Sequence, residues 1–186
     1  FGQPYNARMN GEKGAFTKEW FAGFITDAEL KMLADIGFTH IRLPVEPKVF
    51  MDTGTGALKT EFLPSLDEAI ARIRKQGLAV IVDAHPKTNA YKKMAKKDAM
   101  PGRYLKWWGA FAKHLSQTDP EWVFLEPLNE PGGQSYWAHQ PWWDYQDKLF
   151  TVIRANAPQH TIIGNTGAYM LVHELARYTR SEERRV

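Results

Sequence analysis

Three short stretches of this chain set side chains capable of chemistry at or near the end of an apolar run. Phe124-Leu125-Glu126-Pro127-Leu128-Asn129-Glu130-Pro131 presents an amide and a carboxyl side by side, and Pro131 keeps the segment from continuing as a paired ladder. Val80-Ile81-Val82 leads into Asp83, Ala84 and His85, and the run Phe38 to Leu43 carries Arg42 close to its end. A carboxyl between apolar walls has its pKa raised by desolvation and then holds a proton near neutral pH. That is what a general acid needs in order to protonate a leaving oxygen. Glu130 is the candidate for that role, with Asn129 as an amide able to hydrogen-bond a hydroxyl. Residue types alone leave a second reading open, in which Asn129 and Glu130 are a solvated polar turn. Arg42 likewise reads as a site cation or as a salt-bridge residue with Glu126 for its buried partner. Asp83-x-His85 has the spacing of a metal pair, but no further ligands match it, so no metal is expected.

The elements that must position these groups are legible from periodicity. Thr26-Asp27-Ala28-Glu29 spells a capping box, with Leu30, Leu33 and Ala34 following at helical spacing and Gly37 as the left-handed stop. Ser65-Leu66-Asp67-Glu68 repeats the pattern, with Leu66, Ala69, Ile70 and Ile73 as the apolar stripe and Gly77 as the stop. A third helix is expected over residues 103–115, with Tyr104, Trp108, Phe111, Ala112 and Leu115 inward. A fourth starts near Pro141 and carries Tyr145, Leu149, Val152 and Ile153 on one face. Each helix is followed by an apolar run: 38–43, 78–82, 122–125 and 161–164. Apolar runs with helices between them indicate buried parallel strands, so the fold class is α/β. The strands start about every 40 residues, the size of one strand–helix unit with generous loops. No self-similarity accompanies that spacing, and no glycine-rich phosphate turn announces a doubly wound sheet. Polar groups after the strands fit a strand–helix barrel, whose catalytic groups gather at the C-terminal strand ends.

Composition sets the outer bounds. The 186 residues are 44% hydrophobic and 24% charged, which suits one globular domain rather than a disordered chain. No apolar run approaches the roughly 18–20 residues of a spanning helix, and no membrane partner is expected. With no Cys there is no disulfide framework and no thiol nucleophile. Net charge is only +3; Lys87, Lys92, Lys93, Lys96 and Lys97 form a cluster that reads as a solvated face or as an attractor for an anionic partner. Aromatics make up 13% of the chain, including seven Trp. Trp107, Trp108, Trp122, Trp142 and Trp143 fall in or near helices and are expected to pack. Trp137 differs, because it ends Gly132-Gly133-Gln134-Ser135-Tyr136-Trp137, just after the Asn-Glu segment, and should border the cleft. Sugar rings present C–H faces that stack on indole, so Trp137, or Tyr136, is a candidate substrate platform.

Asn129-Glu130-Pro131 after an apolar strand resembles the acid/base signature of glycoside hydrolase family 5, which holds many cellulases and mannanases within the retaining (β/α)8 glycosidase clan. Gly37-Phe38-Thr39-His40-Ile41-Arg42-Leu43-Pro44 resembles that family's second strand, and Val80-Ile81-Val82-Asp83-Ala84-His85 its third. The resemblance implies that Glu130 is the general acid/base and that Arg42 supports the nucleophile carboxylate. It implies too that His85 lines the subsite beside the cleaved bond, and it adds Asn129 to the site. It implies a partial (β/α)8 TIM barrel covering roughly the end of strand 1 through strand and helix 5. The implied activity is retaining hydrolysis of a β-1,4-linked polysaccharide, cellulose or β-glucan before mannan, with no cofactor and no nucleic-acid partner.

A retaining glycosidase needs a second carboxylate about 5–5.5 Å from the acid. In the family it lies on the seventh strand; Glu174, Glu182 and Glu183 come too early and lack that context. Residues 1–179 are therefore expected to be the N-terminal part of a catalytic barrel, inactive by itself. Residues 180–186, Arg-Ser-Glu-Glu-Arg-Arg-Val, are expected to be a non-native tail resembling a translated sequencing adapter. Secretion or export to the periplasm is expected, any signal being absent from this chain; the sequence leaves the oligomeric state open. Two other function classes stand beside this one: a non-catalytic carbohydrate-binding barrel, and an unrelated barrel enzyme drawing an anionic substrate to its lysines.

Overall fold

The computed structural model describes Gly23 and residues 25–86, 100–131 and 139–166. Helix α1 (Asp27–Asp35) opens with the capping box its sequence spells. Thr26 Oγ1 accepts from the Glu29 backbone N–H at 3.2 Å, and Glu29 Oε2 accepts from the Thr26 N–H at 2.7 Å. Gly37, at φ 97°, turns the chain into β1 (His40–Val45). A single helical turn, α2 (Pro47–Phe50), precedes α3 (Leu63–Lys75). Here the sequence reading needs correction, because Ser65 does not cap α3. The helix begins at Leu63 with Phe62 at its N-cap and no side-chain cap bond. Pro64 sits in the first turn, where its fixed φ and missing N–H cost nothing, so the helix starts before the serine.

After α3 come β2 (Ala79–Ala84), α4 (Met100–Leu115), β3 (Val123–Glu126) and α5 (His139–Asn156). The two later helices thus begin a turn or less before the starts expected from the sequence. The strands form one parallel sheet in the order β1-β2-β3, each next to its neighbour in sequence. That winding is the one a strand–helix barrel uses. The expected fourth strand, 161–164, meets β3 through one parallel bridge, Leu125 to Ile162. Two ladder bonds run beside it, Leu125 N–H to Thr161 O and Ile163 N–H to Leu125 O. It takes a strand's place with too few pairs to count as one.

Alternation along the strands separates two faces. Val80, Val82, Ala84, Val123 and Leu125 are buried in one cluster with Leu66, Ile70 and Ile73 of α3 and with Trp108 and Phe111 of α4. Ala69 and Val152, expected inward, are only half-buried. The aromatic excess is largely structural. Trp107, Trp108 and Trp142 are fully buried, and each indole N–H reaches a backbone carbonyl, so no buried donor is left unpaired. Trp122 is the exception: it is exposed, with the Arg74 guanidinium 3.8 Å from its ring centre. Among the described residues no helix is long and apolar enough to cross a membrane.

The α1 cap carries a pH signature. Hydrogen bonds from the Thr26 backbone and hydroxyl hold the Glu29 pKa below its ordinary 4.5. A depressed carboxylate contributes stability that is present above the unfolded pKa and lost as pH falls through the folded one. Glu29→Ala should therefore lower the thermal midpoint near neutral pH, and its gap to the parent should close below about pH 4. A gap that stays constant through the acid range would contradict the capping role.

Candidate active site

The second face of the sheet carries the polar groups. Pro44 pairs with Asp83 and Asp83 with Glu126, and parallel register partners point the same way. Arg42, two residues before Pro44, points there too. It lies inside β1, three residues before the strand's end, and its long side chain spans the distance to the neighbouring strand ends. Arg42 Nε donates to Glu126 Oε2 at 2.7 Å and Nη2 to Glu126 Oε1 at 2.7 Å, a two-pronged pair. Nη2 also donates to Asn129 Oδ1 at 2.8 Å and lies 3.1 Å from Asp83 Oδ2. Glu126 and Asp83 are buried, whereas 35% of the Arg42 side chain remains exposed. Hydrogen bonding to Glu126, with the charges of Asp83, Glu126 and Glu130, holds the Arg42 pKa above its usual value although burial pulls the other way. The salt-bridge reading of Arg42 holds, with Glu126 as its buried partner, and the same guanidinium reaches Asn129.

Beyond β3 the chain is held in a conformation it would not choose. Glu130 has φ 40°, in the left-handed region, where a non-glycine residue costs on the order of 1–3 kcal/mol. The segment leading to it is tied down at successive residues. The Pro127 carbonyl accepts from Tyr104 Oη at 2.8 Å and from Trp108 Nε1 at 3.0 Å, and the Leu128 carbonyl accepts from Asn165 Nδ2 at 2.7 Å. The Asn129 N–H reaches Ala84 O at 2.9 Å. Asn165 is itself clamped by Gln146, which accepts from its N–H at 2.8 Å and donates to its carbonyl at 3.0 Å.

The sequence-derived residues meet unequally. Arg42 and Asn129 touch, and Glu130 contributes charge to the same cation. His85, half-buried, joins through Asp83: its Nδ1 lies 2.7 Å from Asp83 Oδ2. The expectation that apolar walls enclose Glu130 is not met, because the residue is exposed while Pro127, Leu128 and Pro131 around it are buried. Trp137, Tyr136, the lysine cluster 87–97 and the tail 180–186 lie outside the described residues. Among those described, no group of three or more His, Asp and Glu is placed to hold a metal ion. Asn165, Tyr104 and Trp108 escaped the sequence reading as supports of the site. Asn165 had a signal, since Gly164-Asn165-Thr166 follows an apolar run just as Asn129-Glu130 does.

Comparison with known proteins matches the chain to a family. A profile of the Cellulase family, glycosyl hydrolase family 5, matches residues 2–178. Endoglucanase 3 of Fibrobacter succinogenes is 26% identical over 169 residues, covering 82% of this chain and 25% of that protein. Endoglucanase C of Acetivibrio thermocellus is 34% identical over 71 residues, covering 38% of this chain and 21% of that protein. Thermotoga maritima Cel5A in complex with cellobiose superposes with a TM-score of 0.73 at 24% identity, covering 86% of this chain and 50% of that one. The same enzyme in complex with mannotriose gives a TM-score of 0.73 at 24% identity, over 85% of this chain and 50% of that one. This likeness establishes the fold, α/β of the (β/α)8 barrel kind, of which the described strands form a part. The chain spans half the length of that barrel structure and a quarter or less of the two endoglucanases.

The support from Asn165 is open to test. Asn165→Ala leaves the buried Leu128 carbonyl without its donor and should cost about 1–3 kcal/mol in urea unfolding. A variant as stable as the parent would mean that this tie does not hold the segment.

Proposed function

The chain belongs to the cellulase family, glycosyl hydrolase family 5, and we propose that it carries the acid/base half of a retaining β-glycanase site. The reading is supported most directly by the Arg42–Asn129 contact of 2.8 Å at the end of a parallel sheet, beside the charge of Glu130. In this reading Glu130 first protonates the departing sugar oxygen and then, as the base, activates the water that releases the second half of the substrate. Asn129 has its Oδ1 engaged by Arg42, which turns its amide hydrogens toward a sugar hydroxyl. Arg42 supports a nucleophile carboxylate contributed by the rest of the barrel, His85 lines the neighbouring subsite, and Trp137 offers an indole face to a sugar ring.

The substrate proposed is a β-1,4-linked glucan, with mannan second. Solved complexes of the Thermotoga maritima enzyme hold cellobiose in one case and mannotriose in the other, so both substrates of this proposal have a counterpart there. A polymer does not cross a membrane, so an enzyme that acts on one meets it outside the cytoplasm; secretion or a periplasmic location follows from the proposed substrate. Residues 1–179 would be the N-terminal part of a catalytic barrel and 180–186 a non-native tail.

Glu130→Gln in the whole protein tests the assignment. An amide cannot donate the proton that a departing sugar oxygen requires, so hydrolysis of a soluble β-1,4-glucan should fall by about 10²–10⁴-fold. An aryl glycoside with an activated leaving group needs little help in the first step, and its glycosylation rate should fall far less. Equal rates for parent and variant on both substrates would remove Glu130 from the acid role.

A further inference from the structure

Asp83 is the most deeply buried carboxylate of the site, and its two oxygens are used very unequally. Oδ2 takes both Arg42 Nη2, at 3.1 Å, and His85 Nδ1, at 2.7 Å, while Oδ1 is buried with no hydrogen-bond partner among the described residues. Leaving a buried carboxylate oxygen unpaired is costly, so the shared contact at Oδ2 has to hold the group in place. A carboxylate against a guanidinium is ionised and can only accept. The proton of the 2.7 Å contact therefore sits on His85 Nδ1, and in the neutral ring Nε2 carries the lone pair. The His85 backbone is fixed independently, its N–H donating to Val45 O at 2.8 Å, so Asp83 governs the ring rather than the chain. The groups that share the site with this ring are Arg42 from β1, Glu126 from β3 and Glu130 beyond β3.

We propose that Asp83 is a positioning residue: it fixes His85 as the Nδ1–H tautomer, so that Nε2 meets a substrate hydroxyl as an acceptor. The hydroxyl clause rests on the glycanase reading above; the tautomer clause does not. A neutral imidazole left to itself in water favours the Nε2–H form, so the tautomer reports on Asp83 in a way that stability alone would not.

Long-range ¹H–¹⁵N spectra of the full chain, labelled at histidine, read this directly at a pH where the ring is neutral, with His85→Gln to assign the signals. The wild type should show a protonated Nδ1 and an unprotonated Nε2, and Asp83→Ala should move the ring toward Nε2–H. A wild-type ring dominated by Nε2–H overturns the proposal even if Asp83→Ala fails to fold. A folded Asp83→Ala with an unchanged tautomer also overturns it. Titrating the wild type with cellobiose tests the hydroxyl clause. A shift centred on Nε2 supports it, and binding that moves other signals but leaves Nε2 unmoved overturns it. Cellobiose that binds nowhere on the chain counts against the glycanase reading and leaves the tautomer result standing.

Discussion

One guanidinium ties the strand ends of this protein together. Asp83 and Glu126 are buried neighbours on adjacent strands, and two carboxylates brought that close repel each other and lose their hydration. Arg42 answers both, with paired bonds to Glu126 and a contact to Asp83, and then reaches the loop at Asn129. Such an arrangement is weak evidence for stability, because desolvation offsets much of the Coulomb gain. Its effect is geometric. A slip of one residue between β1 and β2 would carry Arg42 to the opposite face and leave both acids without a cation.

From that cross-link the rest of the site is built outward. Asn129 is gripped by Arg42 through its side chain and by Ala84 through its N–H, while α4 and the 165 segment hold the two preceding carbonyls. These ties surround Glu130, the one non-glycine residue in the left-handed region among the described residues. On the proposed reading such a support suits a proton donor, since its oxygen must already be in place when charge develops on the leaving group. The same logic extends to His85, whose ring is held by Asp83 while its backbone is held by β1.

What could be read from the sequence depended on how local the cause was. The α1 cap is decided within four residues, and Thr26 and Glu29 pair as their spacing says. Ser65 shows the same spacing, but Pro64 next to it moved the helix start, and a motif read in isolation missed that. The three parallel strands followed from apolar runs separated by helices, and their order is the one the barrel reading implied. The fourth place has the same apolar signature at 161–164 but only one bridge, because pairing depends on the partner strand as well as on the segment. The candidate residues at strand ends stood out by residue type. Their environments did not: the exposure of Glu130 and the reach of Asn165 to Leu128 are settled by segments far apart in the chain. The five tryptophans read as core or surface packing residues do pack: four are buried, and Trp122 lies at the surface against Arg74.

The dependence of the site on Arg42 is measured most directly by a double-mutant cycle of urea unfolding with Arg42→Met, Glu126→Leu and both together. Arg42→Met strands both Glu126 and Asp83 in a buried setting, Glu126→Leu takes the paired acceptor from Arg42, and the double change leaves only Asp83 without its cation. The summed single losses should therefore exceed the double loss, with a coupling of about 1–3 kcal/mol after allowing for the solvent that reaches a third of the Arg42 side chain. Losses that simply add would mean that Arg42 and Glu126 act independently, and that the strand ends are held together by something other than this pair.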